Sequence, residues 1–96
     1  MLLREAFGVT LRKERELQKR TLRDVAAQSY MSLGYLSEIE RSKKEISSEV
    51  LENLCTALCM STRDFLVEVI MTMNNEPSEL EKELGLSTEN LALSPL

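Results

Sequence analysis

Apolar residues recur along the chain at the spacing of an α-helix. Leu3, Phe7 and Leu11 stand four residues apart, which predicts a first helix from about Leu2 to Lys19. Two later stretches repeat the pattern: one helix face carries Leu51, Leu54, Cys55 and Leu58, and the apolar positions of a fifth helix are Phe65, Leu66, Val69, Ile70 and Met73. Leucine dominates the apolar set and aromatic residues make up only 4% of the chain, which favours helix over sheet.

Short polar side chains mark where other helices begin. Thr21–Asp24 and Ser61–Asp64 each fit the capping box, in which the first side chain and a carboxylate three residues later satisfy each other's backbone N–H groups. Ser47 or Ser48 caps the fourth helix. We therefore predict an all-α domain of five short helices over residues 1–74, joined by connections of a few residues.

Two of these helices form a closely connected pair. The second predicted helix covers about residues 21–29 and the third about residues 32–41, with a tight connection between them. Leu36 and Ile39 face inward in the third helix, which leaves its first residues for the outside. A helix-turn-helix has this arrangement: its first helix crosses the DNA backbone and its second lies in the major groove.

The net charge of −4 hides an uneven distribution. Residues 1–45 hold ten Lys/Arg and seven Asp/Glu, whereas residues 46–96 hold two Lys/Arg and nine Asp/Glu. A basic amino half suits a protein that meets phosphate on one side only, although an ordinary solvated surface explains the charges equally well. At 96 residues the chain has room for one domain and little else.

The end of the chain differs from the rest. Asn74–Pro77 reads as a break, and residues 75–96 form an acidic tail. Leu80 and Leu84 share one side of a short helix predicted over residues 78–84, with Gly85 as its stop. We therefore expect a C-terminal helical extension behind the five-helix domain.

The composition argues against several classes of protein. No signal peptide and no apolar run of roughly 20 residues are visible, so we expect a cytoplasmic protein without membrane contact. Cys55 and Cys59 share a helix face, but the chain has no His, and we expect buried free thiols, no metal and no cofactor. Without His or a Gly-rich phosphate loop, we do not expect an enzyme.

The residues around the helix pair resemble a known family. Thr21–Ala26, Met31–Ser32 and Leu36–Arg41 look like the Cro/C1-type, or xenobiotic-response-element-type, helix-turn-helix family. Ser32–Arg41 and Lys43–Glu49 are most similar to the actinobacterial Clp-gene transcriptional regulators. The resemblance implies a phage-repressor-like fold and a homodimeric regulator on a pseudo-palindromic operator. The narrower resemblance implies activation of protease and stress genes.

The resemblance also implies roles for single residues. In the family the start of the recognition helix reads base edges, which here means Leu33, Gly34 and Tyr35. Glu38, one turn further, is either an acceptor for a cytosine amino group or a solvated acid that repels wrong sites. The expected phosphate contacts are Arg23, Ser32, Ser37, Arg41, Lys43 and Lys44. For the two lysines a plain solvated loop is the alternative.

Arg15 and Glu40 lie on otherwise apolar stripes. In the family the matching positions form a buried salt bridge between the first helix and the recognition helix, so we expect a structural ion pair. Two other positions depart from the family: Tyr30 stands where the turn often has Gly, and Ser42 replaces the Gly that usually ends the recognition helix. At Tyr30 the backbone must differ from the family or accept strain, and either departure can shift the loop that carries Lys43 and Lys44.

The last predicted helix has a wide apolar face. The face is explained either as internal core or as a dimer interface at Phe65, Val69, Ile70 and Met73. Expected partners are double-stranded DNA and a second copy of the chain, with RNA polymerase as a further candidate. A phage-type repressor and the antitoxin of a toxin–antitoxin pair stay open within the same fold. A helical adaptor that does not bind DNA stays open from another class.

Overall fold

The computed structural model describes residues 1–74, which form helices without a strand. The helices are α1 (Leu3–Leu17), α2 (Leu22–Gln28), α3 (Leu33–Glu40), α4 (Ser48–Ala57) and α5 (Thr62–Met73). The predicted all-α class and the five helices are confirmed. The acidic tail and its predicted helix over residues 78–84 lie outside the described residues.

The helices α2 to α5 begin where hydroxyl side chains accept backbone hydrogen bonds, whereas α1 begins after Leu2 without a side-chain cap. Thr21 Oγ1 accepts from Asp24 N–H at 3.0 Å, and Thr21 N–H donates to the Asp24 carboxylate at 2.9 Å, so the predicted capping box is present. These bonds lower the pKa of the Asp24 carboxyl group. Ser47, rather than Ser48, caps α4, and its hydroxyl accepts from Val50 N–H at 3.2 Å.

Four helices end in the left-handed backbone conformation that glycine adopts most readily. The residues and their φ angles are Lys19 at 56°, Tyr30 at 59°, Ser42 at 64° and Cys59 at 58°. The N–H of the following residue turns back onto the helix, as Met31 N–H does to Ala26 O at 3.0 Å. At Tyr30 and Ser42 the chain therefore keeps the glycine conformation without the glycine, which costs roughly 1 kcal/mol at each.

One buried cluster joins all five helices. Its largest side chains are those of Phe65, Leu11, Leu36, Ile39, Leu54 and Leu58. The rings of Phe7 and Phe65 stack with centroids 6.1 Å apart and planes 11° apart, which ties α1 to α5. α1 also packs along α3, and α2 packs against both α3 and α4. The position of α3 is thus set from two sides.

Two assignments made from helical periodicity are wrong, and Leu3 is an exposed member of the first apolar stripe. Phe65 and Val69 are 0% and 1% exposed, so they belong to the core and are not available to a dimer interface. Cys59 is exposed, unlike Cys55, because it is the left-handed residue that follows α4. Leu3 is 53% exposed and lies outside the core, although it shares a stripe with Leu11.

Candidate nucleic-acid interface

The segment between α2 and α3 forms a tight turn. Ser29 is buried and its hydroxyl donates to Val25 O at 2.7 Å, so the end of α2 satisfies its own polar groups. Tyr30 follows in the left-handed conformation and is 96% exposed. Ser32 then begins α3 by accepting from Tyr35 N–H at 3.1 Å. Because the Ser32 hydroxyl oxygen already accepts this bond, only its O–H donor and its second lone pair can make a further hydrogen bond.

The first turn of α3 is the open part of the helix. Leu33 is 38% exposed, and a Cβ atom built on Gly34 would meet nothing within 4 Å. Tyr35 is half-buried and packs against the core, so a smaller part of it faces outward. The Glu38 carboxylate lies 3.9 Å from Lys44 Nζ. The predicted base-reading residues are therefore brought together on α3, with Tyr35 partly committed to packing.

The other end of α3 is held by an ion pair with α1. Arg15 Nε donates to Glu40 Oε2 at 2.7 Å and Arg15 Nη2 donates to Glu40 Oε1 at 3.0 Å. The two side chains are only 15% and 9% exposed. Arg15 Nη1 also donates to Arg20 O at 2.9 Å, and hydrogen bonding to Glu40 raises the pKa of the Arg15 guanidinium. The pair joins α1, α3 and the α1–α2 turn.

A glycine in the middle of α1 allows this close approach. A Cβ atom on Gly8 would lie 2.7 Å from Ile39 O, 2.8 Å from Glu40 O and 2.9 Å from Ser42 Oγ. Only a residue without a side chain fits against these backbone oxygens. Sequence reasoning missed Gly8. The available signal was a glycine inside a predicted helix, which costs helical stability unless packing requires it.

Exposed basic side chains lie on α2, at the end of α3 and in the segment that follows α3. Arg23 on α2, Arg41 at the end of α3, and Lys43 and Lys44 after it are all exposed. Ser37 is half-buried on α3. The structure thus presents an open helix end and a set of cations, which is what a protein needs to meet base edges and phosphates together.

The helix-turn-helix domain family matches residues 6–66, which include α2, α3 and the whole buried cluster except its last residue. The chain belongs to the helix-turn-helix domain family. The match ends within α5, so the acidic tail lies beyond it. Membership of this family agrees with the fold and with the helix pair described above.

Two helix-turn-helix relatives carry names that bear on function. The transcriptional regulator ClgR of Mycobacterium tuberculosis is 51% identical over 67 residues, which are 70% of this chain. The matched region spans 60% of the length of that relative. The crystal structure of the clp gene regulator ClgR from C. glutamicum is 49% identical, with a TM-score of 0.73, covering 76% of this chain and 95% of that one.

A more distant helix-turn-helix structure includes DNA. The restriction-modification controller protein C.Esp1396I was solved as a tetramer in complex with its natural 35 base-pair operator. It is 25% identical, with a TM-score of 0.71, covering 75% of this chain and 95% of that chain. The fold of the described residues is therefore one that another protein uses on duplex DNA.

Within residues 1–74, no helix is both long and apolar enough to cross a lipid bilayer.

Proposed function

We propose that the protein is a sequence-specific transcriptional regulator that binds double-stranded DNA. The observation that carries this proposal is the first turn of α3, which is open around Gly34, in a helix pair that also carries exposed cations on α2 and just after α3. The names of the ClgR relatives and the operator complex of C.Esp1396I support it. Residues 1–74 are the DNA-binding domain in this proposal, and residues 75–96 are a separate tail.

The residues divide into two roles in this proposal. Leu33, Gly34 and Tyr35 contact bases, because they occupy the end of α3 that enters a major groove in a helix-turn-helix. Glu38 lies one turn further on and beside Lys44, so its negative charge is partly balanced in the free protein. Phosphate contacts come from this set: Arg23, Ser32, Ser37, Arg41, Lys43 and Lys44.

We further propose that the regulator acts as a homodimer. The four exposed apolar residues of α5 are Leu66, Val67, Ile70 and Met71. Val9 on α1 lines the same concavity as Met71, which extends this apolar surface across two helices. Of the four interface residues predicted from the sequence, the exposed Ile70 and the half-buried Met73 stay in the proposed interface. Two-fold symmetry would place the recognition helices about 34 Å apart.

The biological context follows from the relatives alone. ClgR of C. glutamicum is described as a clp gene regulator, and we propose control of protease genes in the cytoplasm for this protein. RNA polymerase is a further proposed partner for a regulator that activates. No catalytic role is part of the proposal.

Selection from a random duplex library tests the proposal. Purified full-length protein at moderate salt should enrich an inverted repeat whose half-sites lie about one helical turn apart. The variant Lys43→Glu/Lys44→Glu should lose this enrichment, because phosphate contacts are replaced by repulsion. Lys19→Glu/Arg63→Glu is the matched control: it changes net charge equally but alters exposed residues outside α2, α3 and the loop after them.

Absence of any enriched sequence, together with binding that does not respond to salt, would overturn the proposed function. Equal loss in both double variants would show that net charge, rather than a contact at Lys43 and Lys44, governs binding. An enriched site without two-fold symmetry would retain DNA binding and remove the homodimer.

A further inference from the structure

We infer that Arg4 is a positioning residue for DNA binding, and that its ion pair with Glu45 holds Lys43 and Lys44 in place. The inference rests on the proposed function, because the two lysines are its phosphate contacts. The segment Ser42–Ile46, which joins α3 to α4, is called the basic loop below.

The contact joins distant parts of the chain. Arg4 Nη1 donates to Glu45 Oε1 at 2.9 Å, although the residues are 41 positions apart. Arg4 lies in the first turn of α1, and Glu45 directly follows the two lysines. The pair therefore fastens the basic loop, next to its two cations, to a helix that also packs against the core.

Arg4 belongs to a face of α1 that runs beside the end of α3. Arg4, Gly8 and Arg15 share this face because they are four and seven positions apart. Arg15 binds Glu40, Gly8 lies against Ser42, and Arg4 binds Glu45. From Arg15 toward the amino end of α1, the contacted residues therefore run from α3 into the basic loop. This order is expected if α1 supports the end of α3 and the basic loop together.

The rest of the basic loop is held at its two ends. Lys43 N–H donates to Glu38 O at 2.9 Å, which fixes the start of the loop on α3. Ile46 is half-buried and packs against the core, which fixes the other end. Between them, Lys44 approaches Glu38 at 3.9 Å, a longer contact than the 2.9 Å between Arg4 and Glu45.

Both partners are well exposed, with side chains 40% and 74% accessible, so the ion pair adds little to folding stability. Its effect is expected in binding, because a loop that must be ordered when DNA arrives lowers the affinity. The positioning role predicts that loss of the Glu45 carboxylate changes DNA affinity in the direction opposite to that expected from charge. Glu45 is an acid near phosphate, so its removal should strengthen DNA binding by charge alone but weaken it if the carboxylate positions the loop.

The test uses the full chain and the duplex recovered by selection, with the dissociation constant measured by fluorescence anisotropy at fixed salt. Arg4→Gln and Glu45→Gln should each weaken binding about threefold. The exchanged pair Arg4→Glu/Glu45→Arg should return most of the loss, since it restores the contact without changing net charge. The exposed pair Arg12–Glu16, 2.8 Å apart within α1, supplies the matched controls Arg12→Gln and Glu16→Gln.

Glu16→Gln should leave DNA binding unchanged or slightly stronger, whereas Glu45→Gln should weaken DNA binding. Stronger binding by Glu45→Gln, or an exchanged pair as weak as the singles, would overturn the inference. Amide hydrogen exchange of the free protein gives a readout that needs no DNA. The loop amides should exchange faster in both single variants, and unchanged exchange refutes the positioning role even if the parent protein binds no duplex.

Discussion

The two ends of α3 are built for different purposes. The carboxyl end meets α1 through Gly8, where backbone oxygens leave no room for a side chain, and through the Arg15–Glu40 ion pair. The amino end has open space at Gly34 and an exposed Leu33. Because the anchoring contacts lie at one end, Leu33 and Gly34 at the other end can be substituted without altering the core.

Removal of one charge from the anchored end should have the largest effect. Arg15→Met leaves Glu40 nearly buried without its partner, and we expect a loss of about 3 kcal/mol in the free energy of unfolding by chemical denaturation. Arg15→Met/Glu40→Leu should recover most of the loss, since no unpaired charge remains. Arg12→Met, at an exposed pair, should change little. Equal losses for Arg15→Met and Arg12→Met would contradict an anchoring role.

A single methyl group tests the contact between α1 and α3. Gly8→Ala forces a Cβ atom to within 3 Å of two backbone oxygens, and we expect a loss of about 2–3 kcal/mol in unfolding free energy. DNA affinity should fall as well, because the carboxyl end of α3 and Ser42 must shift. A variant as stable as the parent would show that α1 and α3 separate easily.

Relief of strain should raise stability at both helix ends that border α3. Tyr30→Gly and Ser42→Gly each remove a side chain from a left-handed residue, and thermal unfolding should show a gain of about 0.5–1 kcal/mol. Only Ser42→Gly also removes an oxygen that Gly8→Ala would approach. Ser42→Gly should therefore partly rescue Gly8→Ala, whereas Tyr30→Gly should be additive with it.

A methyl group added at Gly34, in the open first turn of α3, should have the smallest effect on folding and a separate effect on DNA binding. Gly34→Ala meets no neighbouring atom and favours helix, so unfolding free energy should rise by about 0.5 kcal/mol. Affinity for the selected duplex should fall if the backbone approaches a base there. Unchanged affinity would remove Gly34 from the contact surface.

Local patterns were sufficient to predict the helices and where they begin. Thr21, Ser32 and Ser47 accept hydrogen bonds from residues close in sequence, so their roles can be recognised without tertiary information. The inward positions of Leu36 and Ile39 follow from the same short-range periodicity. The family resemblance supplied the pairing of Arg15 with Glu40, which periodicity alone marked only as two charges on apolar stripes.

Contacts between distant segments were not predictable in this way. The apolar stripe on α5 is wide, and its packing on α1 and α4 decides that Phe65 is core while Ile70 is exposed. Gly8 looked like a weak helix residue because the oxygens that exclude a side chain lie more than 30 positions away. Arg4 and Glu45 resembled ordinary surface charges for the same reason.

The left-handed ends of α1 to α4 also bear on how long the protein survives in a cell. Lys19, Tyr30, Ser42 and Cys59 each hold a conformation that glycine would adopt more easily, so the chain lies below its attainable stability. Proteases act on the small unfolded fraction of a protein, and one or two kcal/mol changes steady-state abundance several-fold. We therefore expect backbone strain at these four positions to raise the unfolded fraction, and a glycine at each to lengthen the lifetime of the protein.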